Sequence, residues 1–134
     1  MGQEQRGINF NSCPAIYWSD CAKMSYLQRR IIVYGIMYYE QNESCVSDQY
    51  YDSISHQLVE LQKDAGFDEF RKSTYYYAMY DFDGSTGFDI PSRLTKYDRE
   101  YLGNIAAHVY KRWKDSTTHK ERRRTLNANV KGSR

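Results

Sequence analysis

Ser47-Asp48-Gln49-Tyr50-Tyr51-Asp52-Ser53-Ile54-Ser55-His56-Gln57-Leu58 is the stretch that decides the fold. Its apolar residues do not alternate. Tyr51, Ile54 and Leu58, followed by Leu61 and Ala65, recur in steps of three and four, which puts them on one face of a helix. Ser47 or Asp48 can cap its start, because either side-chain oxygen accepts from an orphan N–H of the first turn. Gly66 is a natural stop. The pattern predicts a helix over about 48–65.

Working upstream, Leu27, Ile31, Tyr34 and Tyr38 make a second periodic face. They predict a helix over about 26–42, with Ser25 and Gln28 as a capping box at its start. Gly35 inside it costs about 1 kcal/mol relative to Ala, which argues for a close neighbour. Gln41-Asn42-Glu43-Ser44 breaks the pattern, and two helices joined by so short a loop fold back as an antiparallel pair. Working downstream, Thr95 and Asp98 can cap a third helix over about 96–114. Its face is Tyr101, Leu102, Ile105, Val109 and Trp113, and Pro91 bars an earlier start. Between the second and third helices, the aromatic run Tyr75-Tyr76-Tyr77-Ala78-Met79 reads as a short extended or β segment, and turns follow it. The expected fold is mainly α: an irregular extension over 1–23, one helical domain over 24–114, and a tail over 115–134.

At 134 residues the chain suits one domain with a modest core. No run of 18 apolar residues is present to span a membrane, and the N-terminus lacks the pattern of a secretory signal. Cys13, Cys21 and Cys45 fall at no metal-ligand spacing and read as reduced thiols in a cytosol. The net charge of +2 conceals a division. Residues 111–134 carry nine Lys/Arg against two Asp/Glu, a net +7; residues 1–110 carry ten against fifteen, a net −5. The tail has few large apolar residues, so it is expected to be disordered alone. Lys120, Arg122, Arg123, Arg124 and Lys131 are its candidate phosphate contacts, for nucleic acid of any sequence. A solvated, solubilising end is the plainer alternative.

The loop Tyr80-Asp81-Phe82-Asp83-Gly84-Ser85-Thr86-Gly87-Phe88-Asp89 half-matches three chemical motifs. Asp81, Asp83, Gly84 and Ser85 fit a phosphatase nucleophile string, but only 51 residues follow Asp83, too few for the doubly wound sheet such enzymes need. As a calcium loop it has Thr86 where Gly makes the sharp turn, and Ser92 where a bidentate Glu should close the site. As the Lys-x-Asp-Gly of a nucleotidyl transferase it has Asp81 in place of the lysine. A carboxylate cannot form the phosphoramide. The remaining reading is a turn built from Asp and Gly. His56, His108 and His119 have no metal partner at helical spacing, and no catalytic set is expected, so the chain reads as a non-enzyme.

A longer match lies in Tyr38-Tyr39, the nine residues from Tyr39 to Asp48, and the string Asp48-Gln49-Tyr50-Tyr51-Asp52. Together with Ser53 to Leu61 this resembles the helical Ia domain of bacterial NAD-dependent DNA ligases, over about residues 24–65. The resemblance implies that Tyr38, Tyr39, Asp48, Tyr51 and Asp52 hold the nicotinamide mononucleotide half of NAD. The rings would stack on nicotinamide, and the acids would meet ribose hydroxyls or the cationic ring. Tyr39 stands where many ligases have His, and a phenol is neither a cation nor an acid at neutral pH. From the residues alone, Tyr51 on its apolar face reads as core before ligand platform, Tyr38 shares that ambiguity, and Asp48 reads as a carboxylate favoured by the helix dipole.

The whole body is similar to small ligase-related proteins of phages and mobile elements. That likeness implies a non-catalytic accessory protein in the cytoplasm of a bacterial host, binding a host protein or nucleoprotein complex. An anti-CRISPR-like inhibitor of a defence nuclease is the concrete case. The alternative is a binder or sponge of a nicotinamide nucleotide or another NAD-derived molecule. No cofactor is required on the first reading; a nicotinamide nucleotide is the ligand on the second.

Overall fold

The computed structural model describes residues 7–10, 18–85, 87 and 89–132, with side chains as far as Thr117. Six helices follow in order: α1 Asp20–Gln41, α2 Asp48–Ala65, α3 Phe67–Phe70, α4 Tyr76–Met79, α5 Ile90–Arg93 and α6 Lys96–Gly132. The fold is mainly α, and the described residues contain no strand.

Helix α1 is the centre. Every residue from Ile31 to Met37 is buried, so this helix has no solvent face over two turns. Helix α2 packs on one side of it, mainly through Ile54 and Leu58, and α6 on another through Leu102 and Ala106. Gln28 meets Gln62 and Tyr34 meets Tyr50, so α1 and α2 run past each other in opposite directions. A helix covered by two partners loses the single-face period. That is why Ile32, Val33 and Ile36 belong to the core beside the expected Leu27 and Ile31, while Tyr38, at the end of the expected stripe, is 49% exposed.

Helix α2 begins and ends where its residues predict. Ser47 accepts from the Tyr50 N–H at 3.1 Å, and Gly66, at φ 89°, follows the last turn. The start of α1 differs from expectation. Ser19, six residues upstream of Ser25, caps it by accepting from the Ala22 N–H at 3.1 Å. Ser25 and Gln28 are no capping box; both reach across to the segment after α3. The Gln28 amide donates to Ser73 Oγ at 2.8 Å and accepts from the Tyr75 N–H at 3.0 Å, fully buried. Ser25 Oγ accepts from the Thr74 N–H at 3.0 Å. A turn with no ladder of its own satisfies its backbone on two polar side chains of the central helix.

The aromatic run is not extended. Tyr76–Met79 forms one helical turn, and Tyr75, Ala78 and Met79 are buried. Its short apolar string suited strand or helix equally, and packing against the core decided. Pro91 is the second residue of α5, in the first turn, where its fixed φ suits the helix and an N–H would have no intrahelical partner. Thr95 caps α6, accepting from the Asp98 N–H at 3.1 Å, but the other half of the box is supplied from outside. The Tyr77 hydroxyl accepts from the Thr95 N–H at 3.1 Å and donates to the Asp98 carboxylate. On α6, Tyr101 is 43% exposed and Ala106 takes the buried place.

The third helix does not end near 114, nor is the segment after it irregular: the backbone of 115–132 continues α6 to Gly132. Low apolar content argues against a packed core, not against a helix. The run Lys120-Glu121-Arg122-Arg123-Arg124 has high helix propensity, and no proline interrupts it. Part of the N-terminal extension docks on the body. The Gln57 amide pairs with both backbone groups of Ile8, each bond 2.8 Å, and Phe10, Trp18 and Tyr26 form an aromatic cluster. Cys21 and Cys45 are free thiols, with Cys45 held protonated to higher pH by burial; Cys13 lies outside the described residues. No helix among the described residues is long and apolar enough to cross a membrane.

Candidate functional site

The short loop after α1 reverses the chain, so the end of α1 and the start of α2 lie side by side. Tyr38, Tyr39, Asp48, Tyr51 and Asp52 thereby converge on one cleft of about 320 Å³. Asp48, Tyr51 and Asp52 share one side of α2's first turns because residues three and four apart are neighbours on a helix. Tyr38 and Tyr39 meet edge to face, with ring centroids 5.3 Å apart, and stand half-exposed at 49% and 47%.

Among the described residues six more join the lining: Tyr34, Gly35, Ser44, Val46, Ser85 and Gly87. The last two come from the Asp/Gly-rich loop, which the sequence placed nowhere in particular. Gly87 lets that loop close down. A Cβ there would stand 3.0 Å from Ile90 Cδ1 and 3.2 Å from the Tyr51 hydroxyl, too tight for either to stay in place. Gly84, at φ +91°, turns the loop over His56 and Val59. Gly35 has the close neighbour its position suggested, the Tyr51 hydroxyl. A Cβ would meet it at 3.6 Å, an ordinary contact, so this glycine keeps space rather than preventing a clash.

Tyr51 is the floor of the site. Burial, then the nearby Tyr39 and Asp52, push its phenol up to about 12. It stays protonated throughout the physiological range, as a neutral ring with one hydroxyl. Tyr34 ties the cleft to a second cluster. The Arg30 guanidinium donates to the hydroxyls of Tyr26 at 3.1 Å, of Tyr34, and of Tyr50 at 3.4 Å, and its charge lies 5.2 Å from the Tyr34 ring centroid. Its Nε is buried without a hydrogen-bond partner among the described residues.

The acids of the Asp/Gly-rich loop do something else. Asp81 takes Arg93 in a two-point ion pair, with bonds of 2.5 and 3.2 Å. Asp83 accepts from the Ser85 N–H at 3.0 Å and its hydroxyl at 2.6 Å, and these bonds hold its carboxyl below the ordinary range. Asp81 is engaged by Arg93 and one oxygen of Asp83 by its own turn, and both border a second cavity of about 360 Å³ with Asp89 and Arg93. Among the described residues no three His, Cys, Asp or Glu side chains group to hold a metal.

Lys120, Arg122, Arg123, Arg124 and Lys131 lie along the C-terminal turns of α6, and their side chains are outside the described residues. Earlier on the same helix Tyr97 and Tyr101 stack with rings 9° apart, 74% and 43% exposed.

No protein-family model matches the chain, and no curated protein or solved structure matches it.

Proposed function

We propose that this chain is a non-catalytic binding protein whose cleft holds the nicotinamide-bearing part of an NAD-derived molecule. One observation carries the reading. Five residues chosen by their resemblance to a nicotinamide mononucleotide site, and spread over two helices, line a single cleft. Its volume is at the lower end of the roughly 300–1,000 Å³ of small-ligand pockets, so a ring and its ribose suit it better than a whole dinucleotide. Tyrosines offer faces for the ring and two carboxylates offer acceptors for ribose hydroxyls. Such a protein acts as a sensor or sponge in the cytoplasm of a bacterial host. Calorimetry on the full chain tests the reading with nicotinamide mononucleotide, NAD and ADP-ribose. The expected result is binding of the first, with ADP-ribose silent because it lacks the nicotinamide. Silence from all three at millimolar concentration removes the reading.

A macromolecular role, the reading ranked first on sequence, draws support from α6. That helix carries the exposed Tyr97 and Tyr101 pair, exposed Lys111 and Arg112, and then the basic run. A phage-type inhibitor of a host nuclease could use this edge to compete for nucleic acid or its groove. If about five cations meet phosphates, log affinity for duplex DNA falls against log salt with a slope of about −5. Replacing Arg122, Arg123 and Arg124 by Ala should reduce that slope to about −2. An unchanged slope would place the contacts elsewhere.

A further inference from the structure

The cleft's charge is one-sided. Asp48 and Asp52 both line it, and no Lys, Arg or His is among its described lining residues. Neither carboxylate takes part in any ion pair among the described residues. The cations nearby are engaged. Arg30 spends its terminal N–H groups on three tyrosine hydroxyls, and Arg99 pairs with Glu40. Neutral hydroxyls leave the Arg30 charge in place, but it stands behind the Tyr34 ring, 5.2 Å from its centroid, and is not among the described lining residues; within the lining the positive element is the N-terminus of α2, a partial charge of about half a unit. Asp48 and Asp52 oppose it directly, and Ser47 already accepts one of its N–H groups. The other lining groups include four tyrosine rings, and the face of each ring is negative.

We infer that the cleft selects by charge, taking an unphosphorylated pyridinium cation, such as the N-ribosyl form, in preference to the phosphorylated nucleotide. This rests on the nicotinamide-type reading above and narrows it. A quaternised pyridine ring carries its positive charge in the plane that the tyrosines stack on, and the two carboxylates compensate it. A 5′-phosphate brings negative charges toward the same two carboxylates with no cation among the described lining residues to receive them. The charge preference therefore acts twice, for the ring and against the phosphate.

Two matched pairs of ligands test it on the full chain by calorimetry at low salt. Nicotinamide against N1-methylnicotinamide changes the ring charge by one unit with little change in size. Nicotinamide riboside against nicotinamide mononucleotide changes the phosphate alone. The expected result is about tenfold tighter binding of the cation in the first pair and of the riboside in the second, both differences shrinking as salt screens them. In Asp48→Asn/Asp52→Asn both preferences should collapse toward parity while the far-ultraviolet spectrum stays that of the parent. Equal or tighter binding of the mononucleotide overturns the inference and leaves the nicotinamide reading standing. The phosphate would then reach Arg99, which borders the neighbouring groove across Tyr39, and Arg99→Ala would remove the gain. Binding of none of the four ligands overturns the nicotinamide reading itself, and the inference falls with it.

Discussion

Two pairs of acids separate the parts of this molecule. Asp81 and Asp83 sit in the segment that looks most like chemistry, with its Asp-x-Asp-Gly string, yet each is bound to a neighbour, Arg93 or Ser85. Asp48 and Asp52 sit in an ordinary amphipathic helix, yet both face a cleft, and no ion pair among the described residues takes either of them. A short motif is defined by residue type, whereas a site is defined by what those residues are left to do. Asp81 and one oxygen of Asp83 already have partners. Asp48 and Asp52, on the first turns of α2, have no ion-pair partner among the described residues.

The comparison can be broken at several points, and the largest effect expected is on Tyr51, below the open pair. Its folded-state pKa of about 12 lies above the usual phenol value of about 10, so the fold holds this proton more tightly than the unfolded chain does. The resulting stability is fully present below pH of about 10 and is lost as pH rises toward 12. Two units correspond to about 2–3 kcal/mol. Urea unfolding at pH 9 and near 12 should show that loss in the parent, and Tyr51→Phe should show less of it. Tyr34, Tyr75, Tyr77 and Tyr110 are also raised, so the informative quantity is the difference between the two proteins. Identical alkaline loss in both would mean that Tyr51 is not enclosed.

Next come the acids themselves. Asp48→Asn/Asp52→Asn should weaken binding of a pyridinium ligand about tenfold, near 1.4 kcal/mol, by calorimetry. Gly35→Ala should act oppositely on fold and site. It should raise stability by roughly 0.5–1 kcal/mol, because alanine suits a helix interior and meets Tyr51 only at contact distance. It should also weaken binding, because the methyl enters the cleft. The smallest effect is expected at the other pair. Asp81→Asn breaks an ion pair whose aspartate is half-exposed, so the thermal midpoint should move by less than about 1 kcal/mol equivalent, with ligand affinity unchanged. A large loss of binding there would erase the distinction between the two pairs.

The half of the molecule that the sequence made legible is the half where local signals and tertiary structure agree. Ser47, the Ile54–Leu58 face and Gly66 define α2 by themselves, and reversal after α1 follows from a short loop. The five residues singled out by resemblance to a nicotinamide mononucleotide site lie on those two helices, so the reversal brings them to one cleft. Gln28 misled because an amide near a serine looks like a cap, while its buried role depends on Ser73 and Tyr75, more than forty residues away. Ser85 and Gly87 were missed as cleft walls for the same reason. Glycine beside aromatic residues does signal close approach, but only the folded chain shows that Gly87 approaches Tyr51. The length of α6 was missed because the composition of residues 115–134 was weighed for burial and not for helix propensity.

The central claim is that the cleft between α1 and α2 is the ligand site, and chemical-shift mapping tests it most directly. Isotope-labelled full-length protein is titrated with nicotinamide riboside, and backbone amide shifts are followed. The account predicts saturable changes concentrated on Gly35, Tyr38, Tyr39, Asp48, Tyr51, Asp52 and Gly87, with Asp81, Asp83 and Arg93 little changed. Saturable shifts centred on the Asp81–Arg93 side or on α6, or no shifts at millimolar ligand, would contradict it.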